Sequence, residues 1–155
     1  MKPMIMHGLT RPSVAEPALP EPVRYSAVDR MVISTGRLVV HGLSPCPPIV
    51  STFAILCGAE ARDALSAFQI MIRHLRDDGW RRLKIPLSGQ DHPPSADEQA
   101  VLRLIAAAQA QDMDQLEARL RWLARPHARR QVETAATVVG MALAMNGNFL
   151  LAVRS

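Results

Sequence analysis

Lysine and cysteine are almost missing from this chain, and aromatic residues are few. Two cysteines in 155 residues, Cys46 and Cys57, are separated by ten others. That is too few for a disulfide framework, and they lack the C-x-x-C spacing of a redox pair. Aromatics make up 4%. The core must therefore be built from Leu, Val, Ile, Met and many alanines, which suits closely packed helices better than a β-sandwich. Lys2 and Lys84 are the only lysines among eighteen basic residues. This arginine bias, together with the alanine content, reads as the codon usage of a GC-rich bacterial genome, so it says little about function.

A long uninterrupted hydrophobic run is also missing. Residues 134–153, TAATVVGMALAMNGNFLLAV, carry no charge across twenty positions. A membrane helix needs about twenty residues compatible with hydrocarbon, whereas ten to fourteen more often mark a buried core helix. Asn146-Gly147-Asn148 leaves an eleven-residue run, Ala135 to Met145, and a short tail. The strongly apolar side chains contribute about 3 kcal/mol towards insertion, which two asparagines and two glycines offset. The segment is read as a core helix, apolar on all sides because other helices surround it.

The remaining composition is that of one globular domain, 48% hydrophobic and 21% charged,. Five of the twelve prolines fall in the first 22 residues, so residues 1–24 are expected to be a flexible arm and 25–155 a single helical domain,. The N-terminus has no apolar run of signal-peptide length, and the expected location is cytoplasmic, with no membrane span.

Along the domain, the spacing predicts a mainly α bundle of about five helices. Residues 26–41 fit a helix stopped by Gly42, although MVIS and RLVV also fit two strands. Pro48 can open a short helix ending near Gly58. From Glu60 to Asp78, Ala61, Ala64, Leu65, Phe68, Met71, Ile72 and Leu75 form one apolar stripe, with Gly79 as its C-terminal cap. WRRLKIPLSG (80–89) reads as extended. Ser95 and Glu98 make a capping box that opens a helix to about Gln111. Asp112 starts another, buried through Leu116, Leu120 and Leu123 and stopped by Pro126, which also opens the last helix. The extended pieces near 80–87 and 149–153 are the candidates for a minor two-strand β element.

Candidate chemistry is sparse. His41, Cys46, Cys57 and His74 are zinc-ligand types at the wrong spacing, so Cys57 reads as a core hydrophobe and Cys46 as a loop thiol. A thiol or metal protein using Cys46, Cys57 and His74 is the least favoured reading. His74 and Asp78 are one helical turn apart, as an acid–base pair would need, but Arg73 and Asp77 repeat the spacing as an exposed charged edge would. No nucleophile elbow or glycine-rich phosphate loop occurs, so an enzyme is not expected and no cofactor is implied.

Arginines fall in two clusters: Arg73, Arg76, Arg81 and Arg82, and Arg121, Arg125, Arg129 and Arg130. Brought together they would form a nucleic-acid or anion-binding surface, although acids lie near each cluster and no exposed aromatic ladder is evident. Arg129 and Arg130 open the last helix, where positive charge opposes the helix dipole. Trp80 and Trp122 sit beside arginines, a setting for cation–π stacking or for closing the core. Ala136, Gly140 and Ala144 recur every four residues, a face that lets another helix approach closely, either within the chain or as the seam of a homodimer. The leading expectation is a non-enzymatic helical interaction module with a protein partner. The alternative is a nucleic-acid-binding accessory protein using the arginine clusters.

Overall fold

The computed structural model describes residues 25–86 and 93–150. The arm assigned to 1–24, the end of the extended stretch at 87–89 and the tail beyond Leu150 lie outside those residues. The described residues form six α-helices.

Helix α1, Ala27–Val40, settles the ambiguity of its segment. Ser26 Oγ accepts from the Asp29 amide and the Asp29 carboxylate accepts from the Ser26 amide, so two otherwise orphaned donors are satisfied at its start,. Such a start favours one continuous helix over two strands, and with α1 helical the count rises to six. Helix α2, Pro47–Cys57, begins with two prolines, whose missing amides cost nothing in the first turn,. Helix α3, Ala61–Asp77, buries Ala64, Ala67, Phe68, Met71, Ile72 and Leu75, nearly the predicted stripe. Helices α4, Ala96–Gln109, and α5, Met113–Leu123, form the expected hairpin, the first opened by the Ser95–Glu98 capping box and the second by Asp112. A single 3-10 turn at Pro126–Ala128 leads into α6, Arg129–Met145.

One hydrophobic cluster takes side chains from all six helices, with Phe68, Met71, Ile72, Leu75, Leu104, Ile105 and Leu143 fully buried. Each such side chain contributes about 1.5–3 kcal/mol relative to leaving it in water. The most extensive packing is between α3 and α6. They run antiparallel: His127, just before α6, meets Asp78 at the end of α3, while Asn146 at the end of α6 donates to the Cys57 carbonyl before α3 begins. Gly58 lies at that second junction with φ +58°, and a Cβ there would stand 2.7 Å from Asn146 Oδ1, so both backbone and space require glycine,.

The small-residue stripe of α6 is used inside the chain. Ala136 is fully buried, and a Cβ on Gly140 would come within 3.1 Å of the Gln109 backbone nitrogen of α4. Ala144 is half-buried. Gly140 thus marks the closest approach of α4 to α6, and Ala136 and Gly140 face the protein's own interior.

Three sequence readings are revised. Helix α6 is not surrounded: Val138 is 37% and Met145 72% exposed, because α3 and α4 cover only one side. Gly79 is not a left-handed cap, since α3 ends at Asp78 and Gly79 does not take positive φ. No strand occurs among the described residues, where the one bridge is an isolated antiparallel contact between Gly79 and Ala124. The start of the C-terminal extended piece is held by a side chain instead: Gln109 accepts from the Leu150 amide and donates to the Asn148 carbonyl. No helix among the described residues is long and apolar enough to cross a membrane.

Candidate functional site

Where α3 ends, the chain turns directly against the end of α5. The Arg125 amide donates to the Asp78 carbonyl at 3.0 Å and Gly79 bridges Ala124. A Cβ on Gly79 would collide with the Leu75 carbonyl oxygen and crowd those of Arg81 and Leu123. The severe clash is with the last turn of α3 itself, so glycine is needed for the tight exit from that helix, and the α5 backbone adds a lesser crowding.

This junction joins parts of the two arginine clusters around a pair of exposed indoles. Trp80 and Trp122 are 53% and 55% exposed. The Arg81 guanidinium lies 4.1 Å from the Trp122 ring centroid, and that of Arg125 lies 5.6 Å from Trp80. Each tryptophan is therefore stacked by an arginine from the other segment. A guanidinium over an indole face is attracted by the ring quadrupole and loses side-chain freedom, which fixes both partners. Trp80 Nε1 also donates to the Arg121 carbonyl at 3.1 Å, tying the ring to the last turn of α5.

The strap from Arg81 to Pro86 is held by one carboxylate. Asp97, buried in the first turn of α4, takes the Arg81 guanidinium and accepts from the Lys84 amide at 2.6 Å. Farther along, His41 Nε2 hydrogen-bonds the Ile85 carbonyl at 2.9 Å. Position and charge of the Arg–Trp surface thus depend on residues outside it.

The eight predicted arginines divide by environment. The guanidinium groups of Arg81 and Arg125 meet the tryptophans, Arg121 contributes only its backbone carbonyl, and Arg82 is exposed on the adjoining strap. The Arg121 guanidinium pairs with Glu117 at 2.7 Å, as its i,i+4 spacing predicts. Arg76 pairs with Asp77 at 2.8 Å, taking the carboxylate that spacing offered to Arg73, which stands exposed on α3. Arg129 Nε donates to the Ala124 carbonyl, so it satisfies an acceptor at the end of α5, which accounts for a cation at the start of α6,. Arg130 stands apart, on a groove between α3 and α6.

The His74–Asp78 pair acquires a third member. Asp78 contacts His74 Nδ1 at 3.2 Å and His127 Nε2 at 3.1 Å. Hydrogen bonds from His127 and then His74 hold the Asp78 carboxyl below its ordinary range,. The cluster fastens α3 to the entry of α6 directly beside the Arg–Trp surface.

The thiol and metal residues are dispersed. Cys57 is buried, and desolvation raises its thiol to about 11, far from a reactive thiolate at neutral pH,. Cys46 is exposed at the start of α2. Among the described residues no group of His, Cys, Asp and Glu side chains is arranged to hold a metal.

Sequence reasoning found the tryptophans and their arginines but not the crossed pairing, nor Asp97 as the support of Arg81, nor His127 as the third member of the Asp78 cluster. The acid of Asp97 resembled an ordinary helix-start carboxylate, and its partners lie 13 and 16 residues away. No family model, curated protein or solved structure matches this chain.

Proposed function

We propose that the protein is a cytoplasmic, non-enzymatic helical interaction module whose working surface is the Arg–Trp junction, and that its partner is a single-stranded nucleic acid. The observation that carries this reading is the crossed pair of exposed indoles, each backed by an arginine of the other segment. Every base has a π-face, so an indole held by a guanidinium on one side can accept a base on the other without regard to sequence. Arg82 and Lys84 lie alongside, exposed, where phosphates would pass,. The Arg125–Asp78 backbone hydrogen bond, the Asp97 clamp and the Trp80 hydrogen bond hold this surface in place before any partner arrives, which lowers the ordering cost of binding,.

A protein partner is the second reading. What favours it is that Arg76, Arg81 and Arg121 already pair with Asp77, Asp97 and Glu117, which reduces the field available to a polyanion.

Fluorescence anisotropy with a labelled single-stranded oligonucleotide tests the first reading. Binding should weaken steeply with added salt. Removing one stacking platform by Trp80→Ala or Trp122→Ala should cost about 1–3 kcal/mol of affinity, roughly fivefold to 150-fold. If low-salt binding is absent, or survives loss of both indoles, the nucleic-acid reading fails and the search turns to a protein ligand.

A further inference from the structure

The outward side of α6 carries no charge from Thr134 to Met145, although Thr134, Thr137, Val138 and Met145 are exposed. A surface helix ordinarily places charged residues there. This side lies along a groove shared with α3, with Ala67 and Ala135 among its lining residues and exposed apolar side chains at Ile70 and Val138.

The groove is electrically polar along its length. Because α3 and α6 run antiparallel, Arg130 lies towards the C-terminal end of α3, whereas Glu60 and Asp63 lie at the start of α3. Glu60 and Ile70 are separated by about 15 Å of helix. Among the described residues, no ion pair joins Arg130 to either acid.

We propose that a second copy of this chain covers the groove, the two α3–α6 faces lying antiparallel about a twofold axis near Ala67 and Ala135. Twofold contacts are self-complementary: whatever one chain offers at one end is met by its copy at the other. Arg130 of each chain then meets Glu60 and Asp63 of the other, while Ile70, Thr134 and Val138 fill the uncharged middle. An acidic or a basic peptide would match one end and be repelled at the other. A neutral amphipathic helix would leave both ends unpaired. The groove itself carries both signs in the order required. This interface uses the outer side of α6, distinct from the Ala136 and Gly140 stripe buried against α4.

Sedimentation of the full chain across the micromolar range, with charge reversals at the groove ends, tests the proposal. The wild-type chain should dimerise, and Arg130→Glu or Asp63→Arg alone should raise the dissociation constant about tenfold or more. The two changes in one chain should restore much of the loss, since each new charge meets its new opposite across the axis. A wild-type chain that remains monomeric throughout, or a double variant weaker than both singles, overturns it. Should a reversal unfold the chain, Thr134→Cys in a Cys46→Ser background takes its place. A disulfide-linked dimer on mild oxidation supports the interface, and a chain that stays monomeric overturns it.

Discussion

Two neighbouring carboxylates in the first turn of α4 each take an arginine, and they do opposite things. Glu98 holds Arg37 of α1 in a two-pronged contact, at 2.9 and 3.2 Å, with the side chains only 3% and 6% exposed. Asp97 holds Arg81, whose side chain is half in water and whose guanidinium lies over Trp122. The first pair lies within the packing between helices, where removing Arg37 leaves the Glu98 carboxylate away from solvent without this guanidinium. The second lies at its edge, where it aims a strap and presents a ring. Residue type and separation from the capping serine are nearly the same for both acids, so burial decides between a structural and a surface role.

The sharpest way to break the comparison is at Arg37. Arg37→Ala leaves the Glu98 carboxylate buried without this guanidinium and should cost about 3–5 kcal/mol of stability. Chemical denaturation measures it, and a loss below 1 kcal/mol, the level of an exposed pair, would mean that water reaches Glu98.

Asp97→Asn is the matching change on the other side. It keeps the shape but removes the charge facing Arg81 and weakens the acceptor for the Lys84 amide. The expected loss is about 1–3 kcal/mol for disturbing a hydrogen bond to a charged group. It should also release Arg81 from Trp122, seen as altered indole fluorescence. A stability loss as large as that of Arg37→Ala, with unchanged indole emission, would place Asp97 in the core and not in the strap.

How far the sequence revealed this arrangement depended on the range of each interaction. Helix starts were legible because their signals are local: Ser95 and Glu98 lie three residues apart, and both hydrogen bonds of the box form. The stripe of α3 was legible because periodicity alone specifies a face. The Arg37–Glu98 pair spans 61 residues, and Arg37 sat within an apolar pattern that gave no reason to single it out. Gly79 was visible as a glycine at a helix end, where a left-handed cap is the common explanation, yet what excludes a side chain there is the Leu75 carbonyl of α3, with α5 crowding it less severely. The charge-free segment at the C-terminus was read correctly as too broken to span a membrane. Its outer side was taken to be covered, and only the packing reveals it as exposed.

The smallest effect is expected at Asp78, beside the exposed indoles. Its carboxyl is held below the ordinary range by His127 and His74, so folding favours its ionised form. A depressed carboxyl contributes stability above the unfolded pKa, near 4, and loses it as pH falls through the folded value. Asp77 is shifted in the same direction by Arg76, so acid destabilisation of the whole protein does not isolate Asp78. Comparing the wild-type chain with Asp78→Asn across pH does. The variant should be slightly the less stable at neutral pH, and the difference should shrink as the medium is acidified below the carboxylate range. A difference that stays constant through and below that range would mean that the shape of the Asp78 side chain, and not its charge, fastens α3 to the entry of α6.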